Sequence, residues 1–165
     1  MINLLWVFGS VMTFVVSDIQ GHMDGIRNPR KERTEKGEWS EDITLQAMML
    51  WERDNKVNSV TNHTVYMSRL VKYVRGLYHR LAVTDLPVSE VASQAYEHSL
   101  AKHHGWVVRN MVYCLYKFAG TREWCANLMG SKEPKEDATF LDEQLSQIDD
   151  EFDEFFKTSG IDNQI

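Results

Sequence analysis

Apolar residues in the middle of the chain recur with the spacing of a helix, and this pattern constrains the fold most. Over residues 63–83 they lie three or four positions apart, with one wider gap, at Val65, Leu70, Val74, Leu77 and Leu81. This spacing puts them on one face of an α-helix. No long stretch alternates apolar and polar residues as a half-buried strand would, and no internal repeat is visible. The sequence therefore predicts an all-α domain.

Capping and helix-breaking residues divide the rest of the chain into further helices. A first helix is predicted over residues 3–27, ended by Asn28-Pro29 and followed by a charged loop over residues 30–38. A second helix is predicted to start around Trp39–Asp42, with Ser40 as a possible N-cap, and to run to Asn55. The others are predicted over residues 63–83, 88–103, 106–118, 122–129 and 138–157. The chain has 165 residues, which fits a single domain over residues 1–165.

Charge and cysteine content exclude several functional classes. The net charge of −6 argues against a nucleic-acid partner, although a local basic cluster could still bind an anionic ligand. The two cysteines, Cys114 and Cys125, are too few for a disulfide scaffold or a zinc ribbon, so we expect reduced thiols and a cytosolic protein. Neither a Gly-x-Ser-x-Gly elbow nor a glycine-rich phosphate loop occurs. We therefore expect no catalytic residue and no cofactor.

The N-terminal stretch Ile2–Val16 is almost wholly apolar. It is shorter than the roughly 20 residues that a membrane-spanning helix needs. No Lys or Arg precedes Arg27, whereas a signal peptide begins with a basic region. This favours a buried core helix, and a signal or membrane segment is the alternative.

Three histidines lie close together in the sequence, at His98, His103 and His104. Two histidines four residues apart on a helix can share a zinc ion, but these spacings of five and six residues are less favourable. No cysteine lies near enough in the sequence to join them. We therefore predict no metal site.

Arg69, Lys72 and Arg75 are spaced by three residues and lie along one face of the predicted helix. A solvated surface is one interpretation, and a cationic pocket for a phosphate group is the other. Asp18 ends the apolar N-terminal run, one turn before His22. Its carboxylate could be a solvated helix end or an acceptor for an N–H or O–H of a ligand.

The run Ala95–Arg109, with His104-Gly105-Trp106 near its end, resembles the signature helix pair of the glycolipid transfer protein superfamily. Four other segments resemble the family in the same order: Asp18–His22, Thr44–Met48, Arg75–Leu77 and Thr121–Glu123. The last of these looks like the branch that binds ceramide-1-phosphate. The resemblance implies a two-layer helical sandwich that encloses an apolar lipid pocket. It also implies a carrier that is not an enzyme and that moves a sphingolipid between membranes without vesicles.

The resemblance gives headgroup-binding roles to five residues. Asp18 matches the Asp that bonds the sphingoid amide and hydroxyl, and His104 matches the His that donates to the amide carbonyl. Lys72 falls where glycolipid binders have a Trp that stacks on a sugar and where the phosphate branch has an Arg. Arg75 matches a basic position of both branches. His22 replaces the Asn of one branch and the Lys of the other, so its role is open.

Two departures qualify the phosphate assignment. A second phosphate-binding Arg of the family would fall at Ser68, with Arg69 adjacent as a possible phosphate neighbour. The first family helix or helices have no counterpart, and the link between the helices of Arg75 and His104 is short. Glycosphingolipid transfer and binding without transfer are therefore the alternatives to transfer of ceramide-1-phosphate.

The two most apolar predicted helices supply the candidates for the lipid chain pocket. These candidates, for each of which ordinary core packing is the alternative, are Leu5, Phe8, Met12, Val15, Val108, Met111, Val112 and Leu115. Trp106 could close the site, rest at the membrane interface or pack in the core. We expect a monomer that contacts membranes transiently and peripherally.

Overall fold

The chain is helical throughout the part that the computed structural model describes. That part comprises the backbone of residues 4–161 and the side chains of residue 13 and residues 15–161. No strand occurs within residues 4–161, which form the α-helices α1 (Leu4–Glu35), α2 (Leu45–Asn55), α3 (Ser59–Val83), α4 (Val88–His98), α5 (Trp106–Tyr116), α6 (Arg122–Met129) and α7 (Pro134–Ser159). The all-α fold class predicted from the sequence is confirmed.

The sequence predicted that helix α1 ends at Asn28-Pro29, but the helix continues through Pro29 to Glu35. The predicted loop over residues 30–38 is therefore wrong for most of its length. A proline removes one helical hydrogen bond, but ion pairs one turn apart support the helix beyond it. They join Lys31 to Glu35 at 3.9 Å and Glu32 to Lys36 at 2.5 Å. The chain then turns at Gly37, whose φ of 72° is typical of a residue that follows a helix.

The predicted start of α2 and the predicted end of α4 were also wrong. In both places a side chain makes a hydrogen bond to a backbone group of the helix. The N-cap of α2 is Thr44 rather than Ser40, and its Oγ1 accepts a hydrogen bond from the Ala47 N–H at 3.2 Å. Helix α4 ends at His98 rather than near residue 103. Just past its end, the Ser99 hydroxyl donates to the Ala95 carbonyl at 2.7 Å. A short 3-10 turn follows over Ala101–His103.

Helix α3 is anchored at its start by the buried carboxylate of Glu52, which belongs to α2. The carboxylate accepts hydrogen bonds from the Val60 N–H at 2.9 Å and from the Thr61 N–H and hydroxyl, both at 2.8 Å. The first amides of a helix have no partner within the helix and carry a partial positive charge. Glu52 therefore caps α3, the helix that carries several candidate site residues.

The chain divides into two compact units, and the boundaries fall within α3 and near the end of α7. Unit 1 comprises Met1–Ser68 and Phe152–Ile165, and unit 2 comprises Arg69–Glu151. The core of unit 1 is formed by Trp39, Met48, Met49, Val60, Val65, Phe156 and Ile161. The core of unit 2 is formed by Tyr96, Leu100 and Ala101, packed against Leu70, Tyr73, Val112, Tyr113 and Tyr116. The single domain stays a prediction.

Among the described residues, no helix combines the length and the apolar character that a bilayer span requires.

Candidate functional site

Asp18 and His22 lie one turn apart on α1, within unit 1. The Tyr66 hydroxyl of α3 donates to Asp18 Oδ2 at 2.5 Å, a short distance typical of a bond to a charged oxygen. The other carboxylate oxygen, Oδ1, lies 3.9 Å from His22 Nε2. Asp18 is therefore held by α3 and is not the simple solvated helix end that was the alternative.

His22 is fixed by two aromatic side chains of α3. Its ring stacks on Tyr66 with a centroid distance of 3.6 Å and an interplanar angle of 6°. Its Nδ1 lies 2.9 Å from the Nδ1 of His63. Burial lowers the pKa of His22, and nearby His63 lowers it further, while the Asp18 carboxylate opposes the shift. Asp18, His22, His63 and Tyr66 together form what we call the histidine cluster.

Gly25 makes room for this arrangement. A Cβ atom at position 25 would lie 2.1 Å from a carbon and 2.2 Å from a nitrogen of the His63 ring. Only a residue without a side chain lets the imidazole approach the α1 backbone so closely. The glycine at position 21, one turn earlier on the same helix, has nothing within 4 Å of a Cβ atom.

Lys72 and Arg75 lie on the part of α3 that belongs to unit 2 and contact the same acidic residue of α7. Arg75 Nη1 donates to Asp149 Oδ2 at 2.7 Å, and this hydrogen bond is the main cause of a raised Arg75 pKa. Lys72 Nζ lies 3.6 Å from Asp149 Oδ1, beyond hydrogen-bonding distance. The Asp149 side chain is only 5% exposed, so both cations are drawn to one buried carboxylate.

A second carboxylate, Asp142, extends this ion-pair network along the same two helices. Asp142 Oδ1 lies 3.6 Å from Arg75 Nε, and Asp142 Oδ2 lies 2.8 Å from His79 Nδ1. Lys72, Arg75 and His79 therefore contact acidic residues of α7, and their helix face is not simply a solvated surface. We call Lys72, Arg75 and His79, together with Asp149, the basic cluster. The guanidinium of Arg69 lies near His103, where its charge adds to the effect of burial in lowering the His103 pKa.

His104 follows the 3-10 turn and bonds to a buried tyrosine of α4. Its Nδ1 lies 2.6 Å from the Tyr96 hydroxyl. The Tyr96 side chain is 1% exposed, and burial raises its pKa to about 12, so the hydroxyl keeps its proton at neutral pH. When Tyr96 donates to Nδ1, the proton of a neutral His104 lies on Nε2. The pair thus orients a donor at the end of the signature motif.

Trp106 begins α5 and is 78% exposed, so it does not pack in the core. Its neighbour Val107 is 70% exposed. The exposed position is consistent with the two other roles considered for Trp106.

The predicted lining of the lipid chain pocket is described only in part. The side chains of Leu5, Phe8 and Met12 lie outside the described residues. Val15 is exposed, which argues against ordinary core packing for this residue. The four predicted residues of α5 are half-buried, and one of them packs against the core of unit 2; they are Val108, Met111, Val112 and Leu115.

A cavity of about 450 Å³ lies within unit 2, and the sequence did not predict it. Helices α3, α6 and α7 form most of its walls, with Leu77, Leu81, Met129 and Leu141 among the lining residues. Arg122 also lines the cavity, and its guanidinium already donates to the carbonyls of Leu81 and Leu86, both at 2.8 Å. Of the predicted chain-pocket residues whose side chains the structure describes, none lines this cavity.

Reasoning from the sequence missed the partners of the site residues. His63 and Tyr66 lie 41 and 48 residues from the α1 side chains that they contact. One usable signal was the spacing of seven residues between Asp142 and Asp149, which puts both acids on one face of α7.

As for metals, no group of three or more His, Cys, Asp or Glu side chains suited to hold an ion occurs among the described residues.

The described part of the chain is an all-α protein that carries a histidine cluster and a basic cluster. Sequence comparison identifies its family. The model of the Glycolipid transfer protein (GLTP) family matches residues 1–131. The chain belongs to this family, as the signature motif around His104 predicted.

Two relatives are similar to the chain over different lengths. The ceramide-1-phosphate transfer protein of Danio rerio is 23% identical over 160 residues, which cover 90% of this chain and 74% of that protein. The human pleckstrin homology domain-containing family A member 8 is 28% identical over 106 residues, which cover 62% of this chain. The match spans only 20% of that longer protein.

Two solved structures share the fold. Human ceramide-1-phosphate transfer protein in complex with 12:0 ceramide-1-phosphate has a TM-score of 0.74 at 21% identity, over 89% of this chain and 76% of that chain. FAPP2, described as selecting simple glycosphingolipids with the GLTP fold, has a TM-score of 0.74 at 21% identity, over 93% and 77% of the two chains. The chain therefore has the GLTP fold, and two of these similar proteins are ceramide-1-phosphate transfer proteins.

Proposed function

We propose that the protein transfers a sphingolipid between membranes and that its cargo is ceramide-1-phosphate. The observation that carries the choice of headgroup is the presence of two cations, Lys72 and Arg75, one turn apart on α3. Phosphate is a dianion that pairs well with Lys and Arg, whereas a sugar is best held by a stacked aromatic ring. The names of the zebrafish relative and the human structural neighbour support the same cargo.

The contacts of the two cations suggest different tasks for them. Arg75 is committed to Asp149 at 2.7 Å, while Lys72 lies 3.6 Å from the other oxygen of that carboxylate. A charge-assisted hydrogen bond of 2.7 Å to a buried carboxylate is strong, and a phosphate would have to break it to bind Arg75. We assign Lys72 to the phosphate and Arg75 to holding Asp149.

Asp18 and His104 have the chemistry to recognise the ceramide amide. Asp18 Oδ2 already accepts from Tyr66, but a carboxylate has about four acceptor positions, so it can also accept the N–H of the lipid. His104, oriented by Tyr96, can donate from Nε2 to the amide carbonyl. A ligand that lacks either group would leave a desolvated partner without a hydrogen bond, which is costly.

Transit through water explains why a carrier is needed. Each CH₂ taken from an apolar environment into water costs about 0.8 kcal/mol, so a bare chain of about twelve carbons would cost roughly 10 kcal/mol. A carrier avoids this by exchanging a lipid environment for an apolar protein pocket. We further propose that the exposed Trp106 and Val107 touch the membrane surface during this exchange, and that the protein acts as a cytosolic monomer.

Glycosphingolipid transfer is the second candidate. It is favoured by the equal TM-score of FAPP2, which selects simple glycosphingolipids. The basic cluster is less suited to it, because Lys72 cannot stack on a sugar as an aromatic ring does.

The proposal is tested by following labelled ceramide-1-phosphate from donor to acceptor vesicles. Lys72→Ala should cut the transfer rate at least about tenfold, since a charge-assisted bond to the phosphate is lost. Lys117→Ala, which removes an exposed lysine of unit 2, should transfer at the wild-type rate. Equal rates for both variants would contradict the assignment of Lys72. Tight binding without any transfer would indicate a lipid sensor instead.

A further inference from the structure

The rings of His22 and His63 in unit 1 lie so close together that their facing nitrogens can hold only one proton. The Nδ1 atoms of His22 and His63 lie 2.9 Å apart, with the rings edge to face at 70°. A hydrogen bond between two ring nitrogens requires a proton on one of them and a lone pair on the other. Only one proton can therefore lie between the two Nδ1 atoms.

The surroundings keep the two rings in this geometry. His22 stacks on Tyr66 at 3.6 Å, and the absence of a side chain at Gly25 gives the His63 ring its place against α1. The carboxylate of Asp18 also faces the pair: its Oδ1 lies 3.9 Å from His22 Nε2, and its Oδ2 accepts from Tyr66. A proton added to His22 is therefore taken up beside the Asp18 carboxylate.

The positions of the protons follow from this geometry. In the neutral pair one ring donates through Nδ1 and has a lone pair on Nε2, while the other accepts through Nδ1 and carries its proton on Nε2. A first added proton binds the Nε2 lone pair of the donating ring and leaves the hydrogen bond intact. On His22 this proton faces Asp18, which favours it there. A second added proton needs the accepting Nδ1, so it breaks the bond and places two charges side by side.

We infer that His22 and His63 act as one titrating unit, which takes up a single proton as the pH falls and thereby strengthens the binding of an anionic headgroup beside Asp18. The regulatory half of this inference rests on the proposed function, whereas the shared proton does not. The direction agrees with the depressed pKa of His22, since burial keeps this ring neutral until the pH falls below the ordinary histidine value. A sugar headgroup carries no charge and would gain nothing from this proton.

Nitrogen-15 NMR of the imidazole groups tests the shared proton without any lipid. Between about pH 7.5 and 5, the wild type should show a proton on one Nδ1 and none on the other, and the pair should take up one further proton in a single step. His63→Ala should leave His22 with a single step at higher pH, because a neighbour whose charge lowers the His22 pKa is gone. His98→Asn, an exposed histidine of α4, should change nothing. Independent titration of both rings, or a His22 titration unaffected by His63→Ala, would overturn the inference.

The lipid arm needs a headgroup whose own charge is constant, because a phosphate monoester titrates near pH 6. A ceramide with a sulfate monoester headgroup is a suitable probe. Its affinity should rise roughly three- to tenfold from about pH 7.5 to 5.5, the range expected for a partly exposed charge-assisted contact. His22→Asn should bind it without this pH dependence, and His98→Asn should behave as the wild type.

The two arms separate the possible failures. A wild-type affinity that stays constant with pH, or a rise that persists in His22→Asn, would overturn the regulatory inference alone. If neither the sulfate lipid nor ceramide-1-phosphate binds at any pH, both the regulatory inference and the proposed function fail. The NMR result then still decides whether the two histidines share a proton. Circular dichroism should confirm that each variant keeps its helicity.

Discussion

Replacing Gly25 by alanine tests how closely His63 packs against α1. The new Cβ atom would lie 2.1 Å from the His63 ring, so the ring must turn away. Turning breaks the 2.9 Å contact between His63 and His22, and a hydrogen bond of this kind contributes about 1 kcal/mol to the free energy of unfolding. Alanine in place of glycine within a helix adds about 1 kcal/mol. For Gly25→Ala the two effects nearly cancel.

Gly21→Ala is the matched control one turn earlier on the same helix. Nothing lies within 4 Å of a Cβ atom at position 21, so only the helix-propensity gain of about 1 kcal/mol remains. The free energy of unfolding should therefore be about 1 kcal/mol higher for Gly21→Ala than for Gly25→Ala. Urea unfolding at neutral pH, followed by circular dichroism, measures this difference. Equal stabilisation by both substitutions would refute the close packing of His63 against α1.

Three further predictions concern buried polar groups. Glu52→Ala should lower the free energy of unfolding by about 3 kcal/mol, because it leaves the capped amides at the start of α3 without their acceptor, and chemical unfolding measures the loss. Asp149→Asn should cost about 1–2 kcal/mol in the same assay, but it should tighten the binding of ceramide-1-phosphate by releasing Lys72 and Arg75 from a competing charge. Stability should fall from about pH 10 to about pH 12, because tyrosine ionises near pH 10 in the unfolded chain whereas the pKa of Tyr96 is about 12 in the folded one.

Each of these predictions has a control. Glu143→Ala removes an exposed carboxylate of α7 and should change stability by less than about 0.5 kcal/mol. If Asp149→Asn binds ceramide-1-phosphate more weakly than the wild type does, Asp149 does not compete with the phosphate. Tyr96→Phe should reduce the loss of stability above about pH 10, and an unchanged profile would assign that loss to other tyrosines.

The sequence predicts those helices best whose ends are marked by local signals. Helix α6 runs from Arg122 to Met129 as predicted, because Thr121 caps its start and Gly130 ends it. The end of α1 could not be predicted from Pro29 alone, because the charged residues beyond it continue the helix. A local rule therefore fails where neighbouring side chains outweigh it.

The candidate site shows the same division between local and distant information. The one-turn spacing of Asp18 and His22 and the spacing of Lys72 and Arg75 are visible in the sequence. Their partners Tyr66 and Asp149 are 48 and 74 residues away from Asp18 and Arg75, and only the packing of helices brings them into contact. The sequence thus indicates the polar groups of the site but not the contacts that orient them.

The preference for a phosphate headgroup is the central claim, and one transfer experiment tests it most directly. Donor vesicles carry either labelled ceramide-1-phosphate or glucosylceramide with the same chains, and the protein moves the lipid to acceptor vesicles. We expect ceramide-1-phosphate to move at least about tenfold faster, because one charge-assisted bond from Lys72 to the phosphate is worth about 1.5 kcal/mol or more. Faster transfer of glucosylceramide would contradict the account.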